Sequence, residues 1–145
     1  MSGERERAEG VDALTETQWQ QLASAARAAG VHAYCPYSGF PVGAAVLTAD
    51  GAIASGCNVE SASFGLTVCA ERNAIFRAVA EGAKAIVALV LYTPTPEPVT
   101  PCGACRQVIA EFGRGATIRA ICAGEKQGEY TVEQLLPHRF ALPSR

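Results

Sequence analysis

The sequence predicts one α/β domain, a three-layer α/β/α sandwich in which helices cover both faces of a mixed β-sheet. The chain has 145 residues, of which 49% are hydrophobic, enough to form one packed core and too few for two. Helical and extended patterns follow one another in the order α-β-β-α-β-α-β. Strands that alternate with helices in this way are joined by crossovers, which place the helices on the faces of the sheet.

A charged stretch precedes the first predicted element. Residues 1–13 contain glycine and charges without hydrophobic periodicity, which is typical of a mobile tail. We therefore expect a single domain over residues 14–145. The first ten residues lack the apolar segment of a secretory signal, and no apolar run is long enough to span a membrane. These features predict a cytoplasmic protein with no membrane partner.

The first half of the domain is predicted to form a helix, a β-hairpin and a second helix. Thr15 and Gln18 form a capping-box pattern ahead of helical spacing that lasts until Gly30. The pair Asp50-Gly51 separates two extended runs, as in a hairpin. The predicted bounds are about 16–29 for the first helix, 42–48 and 52–56 for the strands, and Cys69 to about Gly82 for the second helix, with an apolar stripe of Ile75, Phe76 and Val79.

The second half is predicted to contain two strands and two helices. Its first strand is nearly all aliphatic, which suits a central strand that is covered on both faces. A proline-rich connection then leads to Pro101 and the third helix, which stops at Gly113. The predicted bounds are 85–92 and 117–122 for the strands, 102–112 for the third helix, and a short last helix that is capped by Thr131 and Gln134.

Three of the six cysteines have the spacing of a metal site. Cys102 and Cys105 are three positions apart, so on the first turn of a helix both sulfurs point the same way. Cys69, at the start of another predicted helix, would be the third ligand. Three protein ligands leave the fourth tetrahedral position of zinc for water, as in a catalytic site. The remaining cysteines, Cys35, Cys57 and Cys122, are expected to be small buried residues.

Glu71 is the candidate proton carrier. Residues two apart on a helix point about 200° away from each other, so Cys69 and Glu71 are poor joint ligands of one ion. A carboxylate beside the metal that does not bind it is suited to general acid/base catalysis. Zinc deaminases combine a ligand-x-Glu segment with Pro-Cys-x-x-Cys in this order.

The sequence resembles the cytidine deaminases of the small, homotetrameric, three-cysteine zinc type, within the cytidine/deoxycytidylate deaminase superfamily. The resemblance extends from about Ala33 to Phe140 and is carried by motifs in the family's order. These are YCPYSGFPVG at 34–43, GCNVE at 56–60, CAER at 69–72, PCGACRQ at 101–107 and LLP at 135–137. It implies the same fold with a fifth strand, which we place at 129–132.

The resemblance also implies the reaction, the cofactor and the assembly. Members of the family hydrolyse cytidine and deoxycytidine to uridine and deoxyuridine with release of ammonia, in pyrimidine salvage. One Zn²⁺ per chain would be held by Cys69, Cys102 and Cys105, and four chains would form a homotetramer. Bound zinc lowers the pKa of its water towards 7, and Glu71 would carry protons from that water to ring N3 and to the departing ammonia.

Two arginines lie close to the predicted ligands in sequence. Three thiolates make zinc a poorer Lewis acid, so positive charge nearby would help. The helix N-termini at Cys69 and Cys102 supply part of it, and the resemblance implies that Arg72 supports the ligands from behind with charge and hydrogen bonds. For Arg106 two interpretations stay open, a similar supporting role or an ordinary solvated helix position.

The substrate contacts are assigned mainly by the resemblance. Asn58 and Glu60 alternate in an extended segment and so share a face, and the family match implies that they bind the ribose 3′-OH. Ser61 and Phe64 depart from the Asn and Tyr that are common in the family, which affects contacts near the sugar. The other implied substrate-binding residues are Phe40, for the pyrimidine ring, Ala70, Phe64 and Phe140, the last reaching into a neighbouring subunit's site.

Other functions are weighed against this interpretation. A net charge of −2 and a pI near 5.7 disfavour nucleic acid as a partner, because such proteins usually carry a clustered basic face. A deaminase of a related aminopyrimidine, such as the antibiotic blasticidin S, stays open. So does a structural zinc module closed by Cys57 or Cys122, in which Glu71 would have no use. A thioredoxin-like pair of Cys102 and Cys105 would not need zinc.

Overall fold

The computed structural model describes residues 13–144 and forms one five-stranded sheet with four α-helices over that range. The tail expected at 1–13 therefore lies, except for its last residue, outside the described residues. The helices are α1 (Glu16–Gly30), α2 (Ala70–Ala80), α3 (Gly103–Phe112) and α4 (Val132–Leu135). The strands are β1 (Gly43–Thr48), β2 (Ile53–Cys57), β3 (Ile86–Tyr92), β4 (Thr117–Ile121) and β5 (Gln127–Thr131).

The sheet is mixed, as predicted, with the strand order β2-β1-β3-β4-β5. β3 and β4 pair in parallel, and every other neighbouring pair is antiparallel. The parallel pair requires a crossover, and α3 provides it. The aliphatic strand β3 lies at the centre, as its composition predicted. The edge strand β5 begins two residues earlier than the predicted position.

The helices cover the two faces unequally. On one face α1 packs alone, with Trp19, Leu22 and Ala26 against side chains of β1 and β3. On the other face α2, α3 and α4 enclose the larger core cluster. The prediction of a three-layer α/β/α sandwich is confirmed. Within the described residues no helix is both long and apolar enough to cross a membrane.

The predicted apolar stripe of α2 is wrong in two of its three residues. Ile75 is fully buried, but Phe76 is 46% and Val79 37% exposed. The buried face of α2 is lined instead by alanines at 70, 74 and 78. Small residues are needed there because α2 runs very close to β2, and Phe76, one position after Ile75, is rotated about 100° away from that face.

The other cysteines are only partly as predicted. Cys122 is buried, and its Sγ donates to the carbonyl oxygens of Pro96 at 3.5 Å and Lys126 at 3.3 Å. Cys35 and Cys57 are half-buried, because the segments that hold them lie at the edge of the core. The expectation of full burial therefore holds for Cys122 alone.

Gly56 in β2 is the point of closest approach between the sheet and α2. A Cβ atom placed there would lie 2.5 Å from the backbone N of Ala74 and 2.9 Å from the carbonyl O of Ala70. Both atoms belong to the backbone of α2, so the helix as a whole would have to move. The glycine therefore sets how near the start of α2 can come to the sheet.

We expect Gly56→Ala to lower the free energy of unfolding by about 1–3 kcal/mol, the usual cost of overpacking. Urea unfolding followed by circular dichroism measures the change. Gly115→Ala is the control, because a Cβ at Gly115 would meet nothing within 4 Å. Equal unfolding midpoints for the two variants would contradict the close approach.

Candidate active site

The N-termini of α2 and α3 lie together, and the three candidate ligands are found there. Cys69 and Cys102 are the N-cap residues of these helices, and Cys105 lies in the first turn of α3. Their Sγ atoms all lie within 4.8 Å of one another. Neither N-terminus has a side-chain cap, so free backbone N–H groups and the positive ends of both helix dipoles are directed towards the end where the sulfurs lie.

The spacing of the sulfurs fits zinc. Two thiolates bound to one tetrahedral zinc at about 2.3 Å would be roughly 3.8 Å apart. Cys69 Sγ and Cys102 Sγ are 3.8 Å apart. A set of three thiols within 4.8 Å of one another suits a soft or borderline metal better than an oxygen-seeking one.

Arg72, in the first turn of α2, contacts this cluster through its guanidinium. Its Nη2 donates to Cys69 Sγ at 3.4 Å, while its buried Nε finds no hydrogen-bond acceptor within residues 13–144. The pKa of Cys69 is lowered to about 5, first by a hydrogen bond from Cys105 and also by Arg72. The pKa of Cys105 is raised, because that hydrogen bond and burial favour its protonated form. The cluster thus favours a thiolate at Cys69 even without a metal.

Glu71 is buried beside the sulfurs. It is 4% exposed, and burial raises the pKa of its carboxyl to about 7, with a smaller contribution from the negative charge of Cys69. A carboxyl group with this pKa can both accept and release a proton at neutral pH. Glu71, which the sequence predicts to carry protons without binding the metal, thus lies buried beside the candidate ligands.

Asn58 and Glu60 both reach towards the loop that connects α1 with β1. Asn58 Oδ1 accepts from the backbone N of Val42 at 2.8 Å, and its Nδ2 donates to the carbonyl O of Phe40 at 2.8 Å. Asn58 is buried. Its amide therefore fixes both ends of the segment from Phe40 to Val42, a role that the sequence analysis did not foresee.

Glu60 holds the preceding part of the same loop. Its Oε1 accepts from the backbone N of Tyr37 and of Ser38, both at 3.0 Å. Its Oε2 accepts from the Ser38 hydroxyl, which in turn accepts from the backbone N of Phe40 at 3.0 Å. These bonds, that of the Ser38 hydroxyl foremost, lower the pKa of Glu60. Glu60 is thus an ionised anchor for the loop that carries Phe40.

The profile of the cytidine and deoxycytidylate deaminase zinc-binding region matches residues 16–121. The chain belongs to this family. The match includes every motif of the resemblance except LLP at 135–137, and it contains all three clustered cysteines. The family expected from the sequence is therefore confirmed.

Known deaminases of this family are similar over nearly the whole domain. The cytidine deaminase of Sporosarcina psychrophila is 46% identical over 124 residues, which cover 84% of this chain and 90% of that protein. That of Halalkalibacterium halodurans is 48% identical over 124 residues, with 83% and 92% covered. The crystal structure of cytidine deaminase from Burkholderia pseudomallei superimposes with a TM-score of 0.81 at 42% identity, over 88% of this chain and 100% of that one.

The other residues that the deaminase resemblance singled out lie on four separate parts of the chain. Ala70 is buried at the start of α2, and Phe40 is partly exposed on its loop. Phe64 is 74% exposed but packs edge-on against Tyr37, with ring centroids 5.7 Å apart. Phe140 is 70% exposed, beside α3. The last two thus have exposed rings in the single chain.

Arg106 is not a solvated helix residue. Its guanidinium is partly buried and donates three hydrogen bonds to the chain. The sequence contains no local signal for this, because one of the three partners lies 29 residues further along the chain. Of the two interpretations that the sequence left open, the structure excludes the solvated one.

Proposed function

We propose that this protein is a cytoplasmic, zinc-dependent cytidine deaminase that hydrolyses cytidine and deoxycytidine to uridine and deoxyuridine with release of ammonia, as in pyrimidine salvage. The observation that carries the proposal is a buried carboxyl, Glu71, next to three clustered thiols at two helix N-termini. Membership of the deaminase family and the close relatives named cytidine deaminase support it.

Cys69, Cys102 and Cys105 would hold one Zn²⁺ per chain. When bound there, zinc would supply the Lewis acidity that makes water an effective nucleophile at neutral pH. The residues around the cluster counter the negative charge of three thiolates. Arg72 donates to Cys69 Sγ at 3.4 Å, and the positive ends of two helices lie beside the same sulfurs.

Glu71 carries the protons in this mechanism. It accepts a proton as water adds to C4 of the cytosine ring, and it delivers one to N3. It then takes the proton of the new C4 hydroxyl and passes it to the amino group, which leaves as ammonia as the C4–N bond breaks and the C4 carbonyl forms. The pKa of about 7 at this carboxyl suits both directions of transfer at neutral pH.

Asn58 and Glu60 would bind a sugar hydroxyl with the bonding capacity that the loop leaves unused. The Asn58 amide has one N–H left, and Glu60 Oε2 retains an unused lone pair. One hydroxyl group both accepts one hydrogen bond and donates one, which matches this pair. Phe40 offers a ring face for the pyrimidine, and the backbone of Ala70 lies at the same helix start as the sulfurs.

The arrangement disfavours the functions that do not involve deamination. The metal-ligand cluster within residues 13–144 contains neither Cys57 nor Cys122, and the thiol of Cys122 is bonded to Pro96 and Lys126. A structural zinc module closed by a fourth thiol therefore lacks that thiol. A redox pair of Cys102 and Cys105 would not require Cys69 at 3.8 Å.

Glu71→Gln is expected to fold and to keep one zinc per chain, but to convert cytidine to uridine at least about 100-fold more slowly, the lower end of general acid/base contributions. Ultraviolet absorbance follows the reaction, and elemental analysis gives the zinc content. The matched control is Cys102→Ala, which should lose the zinc together with the activity. Near-normal turnover by Glu71→Gln would refute the role of Glu71, and an inactive zinc-loaded wild type would refute the function.

The sugar contact predicts a preference for nucleosides. We expect kcat/KM for cytidine to exceed that for free cytosine by at least about 100-fold, since the base lacks the hydroxyl that would accept from Asn58 and donate to the charged carboxylate of Glu60. Glu60→Gln should reduce this ratio, because loss of the sugar contact lowers kcat/KM for cytidine only, whereas any displacement of the loop that carries Phe40 affects both substrates. Equal rates on cytosine and cytidine would contradict the contact, and a higher rate on blasticidin S would favour the antibiotic deaminase.

We also propose a homotetramer with active sites completed across subunits. The support is a set of exposed large apolar side chains, which often mark an interface. They are Phe64, Leu66, Phe76 and Phe140. Deletion of residues 138–145 should weaken assembly and raise KM while zinc stays bound, as measured by light scattering and steady-state kinetics. An active monomer, or a truncated chain with unchanged KM, would contradict the shared site.

A further inference from the structure

We infer that Arg106 and Gln107 attach the end of α4 and the chain that follows it to α3, the helix that is N-capped by Cys102 and contains Cys105. Through its hydrogen bonds Arg106 is also a positioning residue for the site. We call residues 136–144 the C-terminal segment. The inference rests on the proposed function only for its effect on substrate binding. The attachment of the C-terminal segment to α3, and its effect on the turn that contains Cys102 and Cys105, do not depend on that function.

The guanidinium of Arg106 joins two distant parts of the chain. Nε donates to the carbonyl O of Pro101 at 2.7 Å, and Nη2 donates to the Thr100 hydroxyl at 2.9 Å. Nη1 donates to the carbonyl O of Leu135, the last residue of α4, at 2.8 Å. All three nitrogens are therefore engaged, two on the approach to α3 and one on α4.

The bond to Pro101 acts directly on a candidate ligand. The carbonyl of Pro101 belongs to the peptide unit that ends at the backbone N of Cys102, the N-cap of α3. This carbonyl precedes the helix and so accepts no bond from the helical ladder. Pro101 is fully buried, so without Arg106 its carbonyl oxygen would be a buried acceptor without a partner. The bond from Arg106 also fixes the plane of this peptide unit. The position of Cys102 follows from that plane.

Gln107 holds the segment further along. Its Nε2 donates to the carbonyl O of Phe140 at 3.2 Å. The chain from Leu135 to Phe140 is thus attached to α3 at both ends. Only the backbone of Phe140 is held, while its ring remains 70% exposed. The bond from Gln107 therefore fixes the backbone position of Phe140 and leaves its ring uncovered.

No ion pair within residues 13–144 holds the Arg106 guanidinium in place. Among residues 13–144, the ion pairs involve other arginines and a lysine, and the three partners of Arg106 are uncharged. Lysine could not replace it, because an ammonium group cannot reach three acceptors in the fixed directions of a guanidinium. The requirement at this position is for the planar fork of donors rather than for charge alone.

The test compares zinc-loaded Arg106→Met, Arg106→Lys and Gln107→Met with Arg77→Met. Arg77 is a matched control, since it lies exposed on α2, the other helix of the site, and among residues 13–144 it pairs only with Glu81, at 3.2 Å. Three quantities are measured for each variant. They are the rate of zinc release to a chelating dye, amide hydrogen exchange resolved by segment, and kcat and KM for cytidine.

We expect both Arg106 variants to release zinc about tenfold or more faster, the lower end of effects from groups that orient metal ligands. Exchange should quicken in residues 136–144 while β3 stays protected, and KM should rise. Gln107→Met should quicken exchange around Phe140 and raise KM without changing zinc release. Arg77→Met should match the wild type in all three.

The inference fails if Arg106→Lys and Arg106→Met match Arg77→Met in zinc release and exchange. It also fails if exchange quickens equally in β3 and the C-terminal segment, because Arg106 would then act on global stability. If Arg106→Met does not fold, Arg106→Lys and Gln107→Met decide the matter. A wild type without deaminase activity, but with the expected zinc release and exchange pattern, would overturn the proposed function and leave the attachment in place.

Discussion

The close approach of α2 to the sheet is the constraint on which the site depends. Gly56 leaves space for the backbone of α2 where a Cβ would lie 2.5 Å from Ala74 N. Because α2 lies so close to the sheet, its N-cap residue Cys69 meets the N-cap residue of α3, and Cys69 Sγ is 3.8 Å from Cys102 Sγ. Metal–ligand distances tolerate deviations of only about 0.2 Å. A small shift of this one helix would therefore separate the sulfurs.

The same meeting point concentrates negative charge, and the surrounding structure compensates for it. Three thiols and the carboxyl of Glu71 lie together, and burial disfavours the ionised forms of Cys105 and Glu71. The hydrogen bond from Cys105 and, after it, Arg72 lower the pKa of Cys69 to about 5. Glu71 receives less of this help, so burial dominates and raises its pKa to about 7. Adjacent acidic groups thereby differ in their protonation at neutral pH, which permits separate roles.

Local chemistry decided what the sequence could predict. Thr15 and Thr131 bond to backbone only three residues away, and both predicted capping boxes are present. β5 is an edge strand without a hydrophobic run, held by pairing with β4, so only the family resemblance located it. Phe76 was misplaced because hydrophobicity alone does not show how near α2 lies to the sheet. The contacts of Arg106 depend on a partner 29 residues away, and the sequence contained no signal for them.

The two departures from the family pattern, Ser61 and Phe64, lie outside the cluster of sulfurs. Ser61 Oγ accepts from the backbone N of Ser63 at 3.1 Å, which closes the turn that leads to Phe64. Phe64 in turn packs on Tyr37, whose backbone N is held by Glu60. A change at either position therefore acts on the loop that Glu60 anchors, while the sulfurs keep their separate hydrogen bond from Arg72. This part of the chain can thus vary without disturbing the clustered cysteines.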